Sequence, residues 1–382
     1  MDSLTVEPVA TKRQRKQFLA FPWQVYRDVP EWVPTLRSEE RELAGFGHHP
    51  FFRNNRIQTF LAYQKGQVCG RIAAILNRDY IEHQKEERGF FGFFECIDDQ
   101  PTANALFDAA RDWLNGQGIH YLRGPTNPGL NYTMGTLIDS FDKRPTFMMT
   151  YNRDYYPRLI EGYGFHKAQD LFAYFGYRHM LDESTAKVGA ISDQIIEKLD
   201  IKMRTLDRSR FLPEVEAFLD LYNKSMMNHW GFAPMSPAEV RHTAKGLRHL
   251  LVPEVTAVAE IEGRIVGACF GIPDLNPTIQ CINGRLFPFG FFHLLRAKRR
   301  ATRVRLVSTN VLPEYQLMGV GLVLMRALVA SGGHLPIEEV EYSWVAESNR
   351  LSMGALKKGG AIPERTYRVY DWDPPNSSDT TA

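Results

Sequence analysis

One order of elements is written twice along this chain of 382 residues, and that repetition constrains the fold more than any other feature. In the first copy, two strand-like runs at 57–62 and 68–76 flank a turn at 64–67. An aromatic run follows at 89–96 (GFFGFFEC), short and apolar enough for a buried strand. Asp98, Asp99 and Pro101 then open a helix, whose apolar face is Ala103, Leu106, Phe107, Ala110, Trp113 and Leu114. A strand at 119–122, a loop rich in Gly, Pro and Asn, a helix at 155–164 and a strand at 165–177 complete the copy. The second copy repeats the order. It has a hairpin at 255–261 and 264–272 around Glu262-Gly263, a strand at 303–312, a helix at 319–331, a strand at 339–345, a helix at 349–358 and a strand at 365–372. The expectation is α/β architecture in two domains, 1–181 and 201–373, with a polar linker at 182–200 and a disordered tail at 374–382.

Composition removes several classes of function. The net charge of +2 gives no global field for nucleic acid, so any anion must bind a local patch. Four dispersed cysteines without a CxxC pair exclude a zinc ribbon and fit a reducing compartment, and no metal site is expected. The N-terminal stretch has no apolar core of a signal peptide, and no apolar run approaches the ~18–20 residues that span a bilayer. The reading is a cytoplasmic protein that is soluble or peripheral at the inner membrane face.

The chemistry concentrates at 311–321, where a strand enters the turn Gln316-x-x-Gly319-x-Gly321 and leaves as an apolar helix. Backbone N–H groups at a helix start are unsatisfied donors with partial positive charge, and glycine lets an anion approach them. Val311, Leu312, Gln316, Leu317, Met318, Gly319, Val320 and Gly321 are therefore the expected diphosphate cradle. At the matching junction the first copy has Asp98-Asp99-Gln100-Pro101, two carboxylates and one missing donor, which repel a diphosphate.

Gln316, Gly319 and Gly321 resemble the acyl-CoA loop of the GNAT acyltransferase superfamily, and Glu347-Ser348-Asn349 with Lys358 and Gly360 resembles its second motif. The resemblance implies two tandem GNAT-like domains, each a mixed, mainly antiparallel sheet with flanking helices, the first degenerate. It further implies acyl-CoA as donor and Asn349 at the helix beside the pantetheine arm. Similar tandem layouts occur in protein N-myristoyltransferases and peptidoglycan-bridge aminoacyltransferases. The tyrosine that many GNAT enzymes use to protonate the leaving thiolate is replaced by Leu356. Proline at 313 leaves the N–H of Leu312 as the expected donor to the thioester carbonyl.

The acceptor is less sharply marked. No acid occurs between Leu275 and Leu312, a stretch that carries Phe287, Phe289, Phe291 and Phe292 and then a run of basic residues. Aromatics followed by cations suit an anionic bilayer or a lipid held near its head group; the plain alternatives are a core helix, a solvated face, or contacts to the CoA 3′-phosphate. Together with Asn228-His229-Trp230-Gly231-Phe232, Pro273-Asp274-Leu275-Asn276 and Asn283-Gly284-Arg285, the chain resembles a bacterial GNAT family that includes or neighbours ceramide synthases. That resemblance implies a sphingoid-type amine and a long acyl chain, with His229, Asp274 and Glu347 as candidate bases and Trp230, Asn276, Phe291 and Phe292 at the acceptor. The alternatives are an N-acetyltransferase for a small polar amine, or a non-catalytic acyl-CoA or lipid-binding module.

Overall fold

The computed structural model describes residues 4–227 and 229–374, apart from the side chains of 181, 182 and 184–187. The expected tail therefore lies, from 375 on, outside the described residues, as does Asn228. The chain forms two compact units, Met1–Asp170 with Thr366–Ala382, and Leu171–Arg365.

The first unit begins with β1 (Thr5–Pro8) and three short helices, α1 (Lys12–Ala20), α2 (Pro22–Val25) and α3 (Arg37–Arg41). Next come β2 (Arg56–Gln64), β3 (Gln67–Leu76), α4 (Arg78–Gln84), β4 (Arg88–Cys96), α5 (Gln100–Asn115) and β5 (Tyr121–Gly124). The short strands β6 (Thr126–Asn127), β7 (Thr133–Met134) and β8 (Thr136–Leu137) precede α6 (Tyr156–Gly162) and the first part of β9 (His166–Tyr177). The sheet order is β1-β2-β3-β4-β5, closed by the last part of β15 (Ile362–Trp372). Lys65 and Gly66, both at positive φ, make the tight turn that sets the β2–β3 register.

This unit is held by aromatic packing. Phe90 and Phe91 are fully buried and Phe93 and Phe94 nearly so, which makes the aromatic excess of the first half a core and not a lipid surface. Phe94 stacks on Phe107 with centroids 4.7 Å apart, and Phe91 meets Phe107 edge-on at 5.3 Å. Each such ring contributes roughly 1.5–3 kcal/mol by burial. The buried Arg123 grips Asp371 through two 2.8 Å bonds, tying β5 to β15. Arg123 also reaches Glu86 at 3.2 Å and Asp371 faces Arg88 at 3.5 Å, so the pair belongs to a network.

The second unit contains the rest of β9, α7 (Arg178–Leu199), β10 (Lys202–Arg204), α8 (Phe211–Met226), α9 (Pro237–Leu247), β11 (Thr256–Ile261) and β12 (Arg264–Pro273). It continues with α10 (Asn276–Cys281), α11 (Gly290–Ala297), β13 (Arg303–Val311), α12 (Val320–Gly332), β14 (Glu339–Ala346), α13 (Arg350–Lys358) and the start of β15. Its sheet order is β9-β14-β13-β12-β11-β10. Only the β13–β14 pair is parallel, and α12 crosses between these two strands. The stretch expected as a linker, 182–200, is most of α7, and Arg326 of α12 binds Asp193 of α7 at 2.6 Å. Asp193, Gln194, Glu197 and Lys198, read from the sequence as linker, are exposed on this packed helix. Among the described residues no helix is long and apolar enough to cross a membrane.

Candidate functional site

The parallel ladder between β13 and β14 runs only from Arg303–Glu339 to Leu306–Tyr342. Both strands continue, β13 beside β12 as far as Val311 and β14 beside β9 as far as Ala346, so the two diverge. The cause lies at Val307. Gly271 pairs with Leu306 but Phe270 with Ser308, which leaves Val307 as an extra residue that bends β13 away. A buried network fixes the point of divergence. Arg305 donates to the Ser343 hydroxyl at 2.9 Å and to the Ser343 carbonyl at 3.1 Å, and Ser343 donates to Glu341 at 2.7 Å.

At the end of β13 the chain makes a 3₁₀ turn, Pro313–Met318, and passes through Gly319 at φ +83° into α12. Gln316 donates from its side-chain amide to the Val311 carbonyl at 3.2 Å, and Tyr315 N–H to the Leu312 carbonyl at 2.9 Å, so the turn is internally braced. No side chain caps α12. Among the described residues no acceptor takes the N–H groups of Gly319, Val320 or Gly321. A side chain added at Gly321 would meet nothing within 4 Å, so there is open space beside that residue. Leu317 and Met318 are exposed beside this turn.

One expected donor is unavailable. The N–H of Leu312 bonds the Val266 carbonyl at 2.9 Å and Leu312 is buried, so it cannot polarise a thioester. Sequence spacing does not reveal this, because the bond is made across the sheet. Asn349 spends its side chain capping α13, accepting from Ser352 N–H at 3.1 Å, just beyond the diverging β14. Glu347 sits in the turn between that strand and that helix.

The first unit has the same frame, but its own atoms fill it. Its parallel pair, β4 with β5, ends at Phe90–Arg123, and a register shift again kinks the neighbouring ladder. Beyond that point Asn127 inserts its side-chain oxygen, which accepts from Phe93 N–H at 2.6 Å. The Thr126 carbonyl lies so close that a Cβ at Gly92 would sit 1.7 Å from it. At the helix start Asp99 caps α5, its carboxylate accepting from Thr102 N–H at 2.9 Å. The charge that repels a diphosphate also takes its place.

The remaining candidates separate into two groups. His229 follows α8 in a bend, its N–H bonded to the Met226 carbonyl at 2.8 Å. The end of α8 is tied to the diverging part of β13 by Asn310, whose amide donates to Ser225 Oγ at 2.7 Å. Among the described residues the buried Nδ1 of His229 has no hydrogen-bond partner, nor do Asn223 Oδ1 and Asn310 Oδ1. Burial pulls the His229 imidazole below its ordinary pKa, leaving it neutral near pH 7. Trp230 adjoins it, half-buried. Asp274 and Asn276 lie elsewhere. Asp274 N–H bonds the Arg303 carbonyl at 2.8 Å, at the start of β13, and its carboxylate accepts from Asn276 N–H at 3.1 Å. The eight residue steps of β13 put this end ~26 Å from the turn at 311–321, so the structure does not bring Asp274 and Asn276 to the cradle. Phe291 and Phe292 lie in α11, which leads into the same far end. Cys269, bonded to Thr309 at 3.2 Å, has its thiol pushed up to about 11 by burial and is no nucleophile at neutral pH.

The layout matches solved structures across the whole chain. A tandem GNAT protein from the clavulanic acid biosynthesis pathway superposes with TM-score 0.57 at 12% identity, covering 97% of this chain and 98% of that one. A GCN5-related N-acetyltransferase from Sphaerobacter thermophilus gives 0.53 at 13% identity, covering 97% and 96%. These likenesses establish the fold, two GNAT units in tandem. No family model matches the chain. Protein YghO of Escherichia coli (strain K12) is 33% identical over 372 residues, 96% of this chain and 94% of that protein. The bacterial ceramide synthase of Caulobacter vibrioides (strain NA1000 / CB15N) is 31% identical over 380 residues, 96% and 97% of the two chains. The chain belongs to the family that contains these two proteins, and its fold is the tandem GNAT fold.

The two glycines of the turn carry different burdens. Gly319 is at φ +83°, and a Cβ there would lie 2.6 Å from Ile195 Cδ1, whereas Gly321 has open space. Gly319→Val is expected to cost about 1–3 kcal/mol of stability and Gly321→Val under about 1 kcal/mol, measured by urea unfolding. Equal losses at the two positions would show that the left-handed turn is not what Gly319 supplies.

Proposed function

We propose that the protein is an acyl-CoA-dependent N-acyltransferase that uses one donor site, in the second unit, to acylate the amine of a long-chain, sphingoid-type lipid base at the inner face of the membrane. The observation that carries the reading is the uncapped start of α12 beside two diverging strands, set against a first unit whose equivalent positions are closed by Asp99 and Asn127. A diphosphate gains three N–H donors and the positive end of a helix there without displacing any protein group. The gap between β13 and β14 is the natural path for the pantetheine arm.

The chemistry is direct transfer. The amine nitrogen bonds to the thioester carbon, the carbon–sulfur bond breaks, and the CoA thiolate leaves. The nitrogen must lose a proton, and His229 suits that role: it is neutral, it has an unpartnered buried nitrogen, and it follows the helix end bonded to Asn310. Glu347, at the end of the other diverging strand, is the second candidate. Asp274, whose carboxylate accepts from Asn276 N–H at 3.1 Å, is the third candidate base, and with leucine at 356 solvent protonates the thiolate. The lipid acceptor is supported by the relative named a bacterial ceramide synthase, and by the exposed phenylalanines near α11.

Acyl-chain dependence tests the reading. Each buried methylene is worth about 0.8 kcal/mol, so kcat/KM should climb steeply from acetyl-CoA to palmitoyl-CoA with a sphingoid base as acceptor. Mass spectrometry of the products measures it, and a preference for acetyl-CoA with a small polar amine would replace the proposal with a generic acetyltransferase.

The pH profile tests His229. Because burial lowers its pKa, the imidazole stays a base until the pH falls below the ordinary value of 6.5, and only then should kcat/KM drop. His229→Gln should remove that acid limb and lower the plateau by ~10²–10⁴-fold. A limb that persists unchanged in this variant would assign the base elsewhere.

A further inference from the structure

The segment between β12 and β13 presents an exposed surface at the end of β13 opposite the turn at 311–321. Phe287, Phe289 and Phe292 are 85%, 69% and 61% exposed, three large rings within six residues of chain. Gly290 and Leu294 are buried, so α11 is anchored by one face and offers the other outward. Arg285, Arg296, Arg299 and Arg300 are exposed around the rings, and no acid interrupts the stretch from Leu275 to Leu312.

Beside α11 lies a cavity of about 450 Å³, lined by Arg208, Phe211, Arg248, His249, Leu295 and Lys298. Its cations are held in place. Arg208 donates to the Leu251 carbonyl, Lys298 to the His249 carbonyl, and Arg248 lies 5.6 Å over the Phe211 ring. Burial first, and then the charges of Arg208 and Arg299, hold the Lys298 ammonium below its usual pKa. Glu254 faces Arg299 at 3.9 Å and acts in the opposite sense on Lys298. Three cations around one cavity repel one another, and an anion between them relieves the repulsion. The phosphates of CoA are poor occupants, because the turn at 311–321 is at the other end of β13, ~26 Å away.

We infer that this face docks on an anionic bilayer, with Phe287, Phe289 and Phe292 entering the acyl region and the cavity of Arg208, Arg248 and Lys298 receiving the phosphate head group of an acidic phospholipid. The pairing of exposed aromatics with a cation-lined cavity matches the two layers of such a surface, apolar chains beneath charged head groups. The inference deepens the proposed function and rests on it in one respect: an enzyme taking an amphiphilic amine must reach the bilayer that holds it.

The test is vesicle co-sedimentation of the full-length protein with phosphatidylcholine alone and with phosphatidylcholine mixed with phosphatidylglycerol. Binding should require the anionic lipid and should weaken as salt rises. Arg248→Gln with Lys298→Gln should reduce it by about thirty-fold, near fivefold per cation. Phe287→Ser with Phe289→Ser should reduce it by at least ~10-fold while leaving the unfolding midpoint unchanged, as expected for exposed side chains. Acyl transfer to a detergent-dispersed amine, measured on the same variants, separates the two claims. Transfer that survives in detergent while wild-type protein ignores anionic vesicles would overturn the docking face and leave the proposed function standing. Vesicle binding without transfer would do the reverse. Binding indifferent to lipid charge, or a concentration-dependent dimer dispersed by the two serine substitutions, would also overturn the docking face, the latter assigning the rings to a second copy of the chain.

Discussion

Everything distinctive about this molecule follows from how the N–H groups at the start of a helix are satisfied. An α-helix leaves its first N–H groups without internal acceptors, and a folded chain answers with a capping side chain, with water or with a ligand. The first unit answers with Asp99. The second has no side-chain cap and places Gly319 in a left-handed turn, with open space beside Gly321. Capping is worth about 1 kcal/mol. In the proposed function, leaving it out in one unit is a small sacrifice of stability that keeps those donors available to a diphosphate.

The same contrast recurs at the diverging strands. In both units a bulge turns a strand away from its parallel partner. In the first, Thr126 and Asn127 occupy the space, and Gly92 is glycine because the Thr126 carbonyl leaves no room for a Cβ. In the second, Arg305, Ser343 and Glu341 close only the vertex. The first unit keeps the GNAT frame as a stable body built on Phe91, Phe94 and Phe107, while the second keeps the open positions.

Much of this was legible in the sequence because it is local. The repeated order of elements follows from hydrophobic period and glycine punctuation, and the turn at Gln316–Gly321 from residue type and spacing. Asp99 at a helix start reads directly as a cap that competes with phosphate. Features that depend on contacts distant in sequence were not legible. The Leu312 N–H looks available until Val266 is seen beside it. Asp274 looks near the turn at 311–321 until the strand register puts it beside Arg303, at the other end of β13. The 182–200 stretch looks like linker because its polar residues hide the contacts α7 makes with α12. The plug at Asn127 had no sequence signal, since nothing local says that a loop after β5 returns beside β4. The cavity under α11 collects Arg208, Arg248 and Lys298 from three separate segments, and only the fold brings them together.

The claim of a single donor site in the second unit is tested most directly by calorimetric titration of the full-length protein with CoA. One equivalent per chain is expected, with affinity lowered at least tenfold, about 1.4 kcal/mol, in Gly321→Val and unchanged in Asp99→Ala. Two equivalents per chain, or binding that Gly321→Val leaves intact, would contradict it.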